Sequence, residues 1–275
     1  MEDPPMSVDH PILVAGPCAI EDYDTTATCA EELARVAQLH GFDFVFKASF
    51  DKANRTSGRS FRGPGLDQGL DTLRRIREAL GIRVLCDVHE SAQSTAAGEV
   101  ADILQIPAFL CRQTDLLRSC ASTGRTVNLK KGPFLAPWQV EPALEKLMDS
   151  GAKEVWVTER GSSFGHGDLV VDFRGLNAMR ATGCPLLFDA SHAAQKPGAR
   201  GDRSGGDRRS TPVLARAAAG AGFDGLYLEV HPRPEEALSD PDTQWPLSAI
   251  EPLILQFARL WDCQRSLPPL PPLRS

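Results

Sequence analysis

The sequence lacks the features that would send it to a membrane, a secretory route or a nucleic acid. No stretch of about 18 apolar residues runs unbroken, the length a membrane-spanning helix needs. No run gathers Lys and Arg, and the net charge is −6 at pH 7, so neither nucleic acid nor an acidic membrane surface is an expected partner. The opening MEDPPMSVDHP is acidic and proline-rich where a secretory leader is basic and then apolar. The seven cysteines form no CxxC pair, and their odd number leaves any disulfide framework incomplete. A reducing compartment, the cytoplasm, is therefore expected. No GxGxxG follows the first strand-like run, where the chain reads AGPCAIED, which weakens a dinucleotide-binding Rossmann sheet.

What is present suits one large globular enzyme. The 275 residues are 42% hydrophobic and 24% charged, enough for a sizeable core. Eight short apolar runs have the character of buried parallel strands: Ile12 to Ala15, Phe44 to Lys47, Val84 to Val88, Ile103 to Ile106, Thr126 to Leu129, Glu154 to Thr158, Pro185 to Asp189 and Gly225 to Val230. Helical spacing with terminal glycine lies between them, as in Asp24 to His40 before Gly41, Leu66 to Leu80 before Gly81 and Trp138 to Ser150 before Gly151. Strict alternation of eight such units predicts an α/β fold, a single (β/α)8 TIM barrel over residues 1–265. Residues 266–275, with LPPLPPLRS, form a proline-rich tail that cannot join a hydrogen-bonded element.

The polar, glycine-rich segments nearly all follow a strand-like run, which in a barrel is the catalytic face. Lys47, Lys52, Arg55, Arg112, Lys130, Lys131 and Arg160 fall at or just after strand ends two, four, five and six. In an acidic protein that placement points to a site for anionic groups, with Arg forks matched to phosphate; singly, each is equally a solvated loop charge. Cys18, His192, Glu229 and Asp240 follow strands one, seven and eight, neighbours once a barrel closes. A thiolate, an imidazole and two carboxylates suit Fe, Zn, Mn or Co as divalent ions. Taken separately, Cys18 is as well read as a small buried hydrophobe and His192 as a hydrogen-bonded loop residue. His10, His40, His89, His166 and His231 compete for any ligand role. GGDRR at Gly205 to Arg209, after KPGARGDRS, reads either as a lid or as a plain surface loop. Asp87 in CDVHE reads either as an acceptor for sugar hydroxyls or as a helix cap.

At KASFDKANRTS the chain closely resembles the 3-deoxy-D-manno-octulosonate 8-phosphate synthases, transferases that condense phosphoenolpyruvate with D-arabinose 5-phosphate. The resemblance continues in order through AGPCAIED, FRGPGL, CDVHE, LQIPAFLCRQTDL, NLKKG, ERGSSFG with LVVD, FDASH and EVHPRPEEALSD. It implies that Lys47 and Lys52 serve the phosphoenolpyruvate side, and that Lys130, Arg160 and the Ala108 backbone grip its phosphate with Gln105 and Arg112. It implies that Asn54, Arg55, Thr56 and Ser57 bind the arabinose phosphate, that His192 and Asp240 act with Lys47 and Lys52 at the reacting centre, and that the enzyme is a homo-oligomer, usually a tetramer. Members divide into metal-dependent and metal-independent groups by Cys or Asn at the place of Cys18; Cys implies the metal-dependent group, with His192, Glu229 and Asp240 as the other ligands. By the same analogy the product enters lipopolysaccharide precursor synthesis. Two departures stand out: KKGPF puts Pro133 where an amide is usual, and FGHGDLVVD puts His166 where a tyrosine is usual. The competing readings are the related 3-deoxy-D-arabino-heptulosonate 7-phosphate synthases acting on erythrose 4-phosphate, whose strand-two loop is KPRTSP-like where this chain has KANRTS, and a non-catalytic sugar-phosphate-binding barrel.

Overall fold

The computed structural model describes residues 8–53, 58, 60–197 and 205–268. Eight parallel strands follow one another around a closed ring: β1 (Ile12–Gly16), β2 (Asp43–Lys47), β3 (Arg83–Asp87), β4 (Ile103–Ile106), β5 (Thr126–Lys130), β6 (Val155–Glu159), β7 (Leu186–Asp189) and β8 (Gly225–His231). Closure comes from β8 pairing with β1, Gly225 opposite Ile12 through Glu229 opposite Gly16. The strands agree with the expected runs to within one or two residues, and the barrel expectation is met.

Helices follow strands because the outward strand residues need apolar cover. They are α1 (Tyr23–Leu39), α2 (Leu66–Leu80), α3 (Ser94–Val100), α4 (Thr114–Ala121), α5 (Glu141–Asp149), α6 (Gly175–Arg180), α7 (Thr211–Ala221) and α8 (Ile250–Ser266). Asp22 caps α1, accepting from the Thr25 amide at 2.7 Å. The helix expected over Trp138 to Ser150 is divided. Pro137–Val140 form a 3-10 turn and α5 begins at Glu141, with Pro142 in its first turn, where a missing donor costs nothing. The loop after β6 holds an antiparallel hairpin, Ser162–Phe164 against Asp168–Val170, which periodicity did not show because three-residue strands are too short to display it.

Residue parity divides the barrel in two. Ile12, Val14, Val45, Leu85, Ile103, Trp156, Leu187 and Tyr227 fill its interior, while the alternating positions, such as Leu13, Phe46, Val84, Leu104 and Phe188, pack outward against the helices. One step toward the C-terminal ends the interior parity switches from apolar to polar and charged, with Lys47, Asp87, Gln105, Lys130, Asp189 and Glu229 all buried there. Gly16 permits β1 and β2 to approach, since a Cβ placed on it would lie 1.9 Å from the Lys47 carbonyl oxygen. Gly16→Ala should therefore destabilise the protein by about 3 kcal/mol or more, because backbone on both sides must move; the urea midpoint measures it.

Candidate functional site

Strand parity brings the polar residues to one mouth. Lys47, from the end of β2, donates to the Cys18 carbonyl and to Glu229 Oε1, both at 2.9 Å, and lies 3.6 Å from Asp87. Burial alone would push this ammonium's pKa down, but Glu229, Tyr227 and Asp87 around it carry it well above the ordinary lysine value. Lys52 reaches the same two carboxylates at 3.8 and 3.9 Å. Asp87 accepts from Ser49 and from Gln105 Nε2, so it is no helix cap. Both ends of the Gln105 amide are engaged, its oxygen by Asn128 Nδ2 at 2.7 Å, and Asn128 in turn accepts from Thr158. This chain of bonds runs beneath the mouth and fixes where Asp87 stands.

On the other side of the mouth, Lys130 pairs with Asp189 and stands 3.6 Å over the Tyr227 ring. Burial lowers the Lys130 pKa against the opposing pull of Asp189 and Glu229, which makes its proton easier to give up than an ordinary lysine's. Arg160 donates to Gln195 Oε1 at 2.7 Å, while its buried Nε has no hydrogen-bond partner among the described residues. Lys131 does not join this set. One residue past Lys130, it points the other way into a cage of the Gly132, Leu135 and Gly161 carbonyls and Ser162 Oγ, each 3.3 Å away, with Glu159 at 3.5 Å. It pins the β5 and β6 loops together. Arg112 is exposed in the turn after β4, beyond Ala108, which is buried.

Cys18 Sγ and a carboxylate oxygen each of Glu229 and Asp240 lie within 4.8 Å of one another, all buried, and these side chains could hold a metal ion. His192 stands beside them, its Nε2 3.6 Å from Glu229 Oε2. Its Nδ1 lies 2.7 Å from the Asp189 carboxylate, so that nitrogen carries the proton and the Nε2 lone pair faces Glu229. Burial holds the ring's pKa below the usual histidine value despite Asp189 and Glu229. Glu229 Oε2 is itself buried with no hydrogen bond among the described residues. With a thiol and a second carboxylate beside them, the His192 imidazole and Glu229 make a donor set that fits a first-row divalent ion.

The other histidines stand apart from this cluster. His10 and His166 are exposed, His40 ends α1 near Glu251, His89 packs edge-on to Phe50, and His231 faces Glu21. Asn54, Arg55, Thr56 and Ser57 lie outside the described residues, as do 198–204 of the lid segment. Gly205–Gly206 pair antiparallel with Gln195–Lys196. Sequence reading passed over Asp189, Tyr227, Ser49 and Ser239, although Asp189 ends a strand two residues beyond interior Leu187 and that parity could have marked it.

Burial would raise the carboxyls of Asp87 and Asp189, but Lys47 and Lys52 around the first, and His192 and Lys130 around the second, hold both well below the usual range. Their folded pKa values are depressed, so the stability they contribute is full above about pH 4, the unfolded carboxylate range, and is lost as pH falls below it. Urea midpoints should fall steeply below about pH 4, and Asp87→Asn should make that slope shallower.

Among the described residues no helix is long and apolar enough to cross a membrane. Residues 7–260 match the model of the DAHP synthetase I family. The chain is 52% identical over 252 residues to the 2-dehydro-3-deoxyphosphooctonate aldolase of Nitratidesulfovibrio vulgaris strain DP4, covering 92% of each. It is 54% identical over 248 residues to the protein of that name from Synechococcus, covering 90% of this chain and 87% of the relative. To that of Acidithiobacillus ferrooxidans it is 51% identical over 248 residues, covering 90% and 88%.

Proposed function

The chain belongs to the DAHP synthetase I family, and from that premise we propose that it condenses phosphoenolpyruvate with D-arabinose 5-phosphate and water, releasing inorganic phosphate and 3-deoxy-D-manno-octulosonate 8-phosphate. The observation that carries the reading is a set of buried cations, Lys47, Lys52, Lys130 and Arg160, at one mouth, the last with an unpaired Nε. A permanently charged, desolvated fork with an open donor calls for an anion, and phosphate matches it.

In the reaction, C3 of phosphoenolpyruvate attacks the aldehyde carbon of the sugar while water adds at C2. The resulting hemiketal phosphate expels phosphate by C–O cleavage. Lys130 and Arg160, with the Ala108 backbone and Arg112, hold the phosphoenolpyruvate phosphate, and Gln105 orients Asp87 toward the sugar hydroxyls. Lys47 and Lys52 offset charge developing on the reacting oxygens in a dry pocket, where fixed cations act most strongly. Asn54, Arg55, Thr56 and Ser57 take the sugar phosphate. Cys18, His192, Glu229 and Asp240 would hold Fe, Zn, Mn or Co, which when bound supplies Lewis acidity that orients the aldehyde or the water. His192 and Asp240 keep that end of the site aligned.

Phe109, Phe134, Trp138, Phe164 and Val170, each between 48% and 69% exposed on the loops after β4, β5 and β6, form an apolar rim suited to cover by further copies of this chain, in a tetramer. The enzyme works in the cytoplasm, making a lipopolysaccharide precursor.

The test is phosphate release from phosphoenolpyruvate with arabinose 5-phosphate or erythrose 4-phosphate as acceptor. Release that requires the five-carbon sugar supports the reading. Preference for erythrose 4-phosphate, or binding of both substrates without product, would replace it.

A further inference from the structure

We infer that Glu21 is a positioning residue that fastens the loop carrying Asp240 to the loop carrying Cys18, and so pre-forms the metal-binding set. The inference rests on the metal reading of Cys18, His192, Glu229 and Asp240. The barrel closes between β1 and β8, and two of those side chains, Cys18 and Asp240, sit on loops beyond the strand ends. Sheet hydrogen bonds do not fix where such loops go. Asp240 also has φ of +47°, the only non-glycine with positive φ among the described residues, a backbone state kept only where the surroundings over-determine it.

Glu21 provides that constraint through a hydrogen bond from one oxygen, with the other turned toward His231. Oε1 accepts the Leu238 amide at 2.8 Å, one residue before Ser239 and two before Asp240. Oε2 faces His231 Nε2 at 3.7 Å. His231 Nδ1 accepts the Arg233 amide, which places the neutral ring's proton on the nitrogen turned toward Glu21. One carboxylate thus spans the start and the end of the segment from His231 to Leu238. His231, Pro234 and Ala237 are buried, but the Leu238 side chain is 56% exposed, so at the residue next to Ser239 the amide bond to Glu21 does what side-chain packing does not. Glu21 is itself anchored, because the next residue, Asp22, is the N-cap of the 17-residue helix α1.

Further ties between the two loops run through Cys18: its amide donates to Gln244 Oε1 at 3.0 Å, and its Sγ lies 2.9 Å from Ser239 Oγ and 3.5 Å from Asp240 Oδ2. Those through the sulfur must rearrange when the thiolate takes a metal. The Glu21 tie need not, and so persists between the metal-free and the loaded protein.

The experiment is titration of metal-free protein with Co²⁺ against a competing chelator, following the thiolate-to-cobalt charge-transfer band. Wild type should bind one equivalent; no binding would sink the metal reading and with it this inference. Glu21→Ala and Glu21→Asp, the latter keeping the charge but not the reach, should weaken binding about tenfold, within the 10–100-fold span typical of partners outside the coordination shell. Glu21→Gln retains an oxygen for the Leu238 amide and should bind within about twofold of wild type. Wild-type affinity in Glu21→Asp would overturn the inference, as would Glu21→Gln binding as weakly as Glu21→Ala. The Asp and Gln variants carry the comparison even if the Ala variant folds poorly.

Discussion

Lys47→Met should cut turnover by about 10³-fold, the loss seen when one pre-organised donor to a developing charge is removed, and should also destabilise the fold. The two effects share one cause. Lys47 is 1% exposed and touches Glu229, Asp87 and the Cys18 carbonyl at once. A methionine fills the volume but leaves two buried carboxylates short of a counter-charge, which costs about 3–5 kcal/mol when one member of a buried pair is deleted. The urea midpoint should drop accordingly. Lys47→Met combined with Glu229→Gln should recover part of that stability, because the unmatched charge is removed, while turnover stays low. A single variant with the wild-type midpoint would show that Lys47 does not balance these carboxylates.

Cys18→Ala should lose at least the 10–100-fold in divalent-metal affinity that even an outer partner costs, with turnover falling in parallel. The variant removes the one thiolate from a set whose other members are the His192 imidazole and the hard oxygens of Glu229 and Asp240. Wild-type protein stripped with a chelator should be inactive and recover when divalent metal is returned. Full activity of the stripped enzyme would contradict the assignment. The fold should be unaffected, since Cys18 already packs as a small, fully buried residue and alanine differs by one sulfur atom.

The site was legible in the sequence wherever a side chain sits on a strand. Lys47, Asp87 and Lys130 end their strands and Glu229 stands two residues before the end of β8, all at positions of interior parity, and alternation alone directs them into the mouth. Lys131 was grouped with the cations of the mouth because it stands next to Lys130, and for that same reason it faces away, into a cage of carbonyls. Arg112 shows the weakness of reading loops. Its place after β4 is correct, yet a turn has no period, and the side chain ends exposed.

By itself the sequence determined the barrel. Eight apolar runs long enough to be strands and too short to be helices, each followed by an amphipathic segment, have few ways to bury both faces of a sheet, and ring closure is one that leaves no edge. Only the tertiary structure decided which ionisable groups share a proton, a cation or an amide. Glu21 meets Leu238, Cys18 meets Ser239, and Asp189 sets the tautomer of His192 within FDASH. The physical reason is range. Hydrophobic periodicity is a local property written along the chain, whereas a hydrogen bond forms only within about 3 Å, and which atoms come that close depends on how the ring shuts.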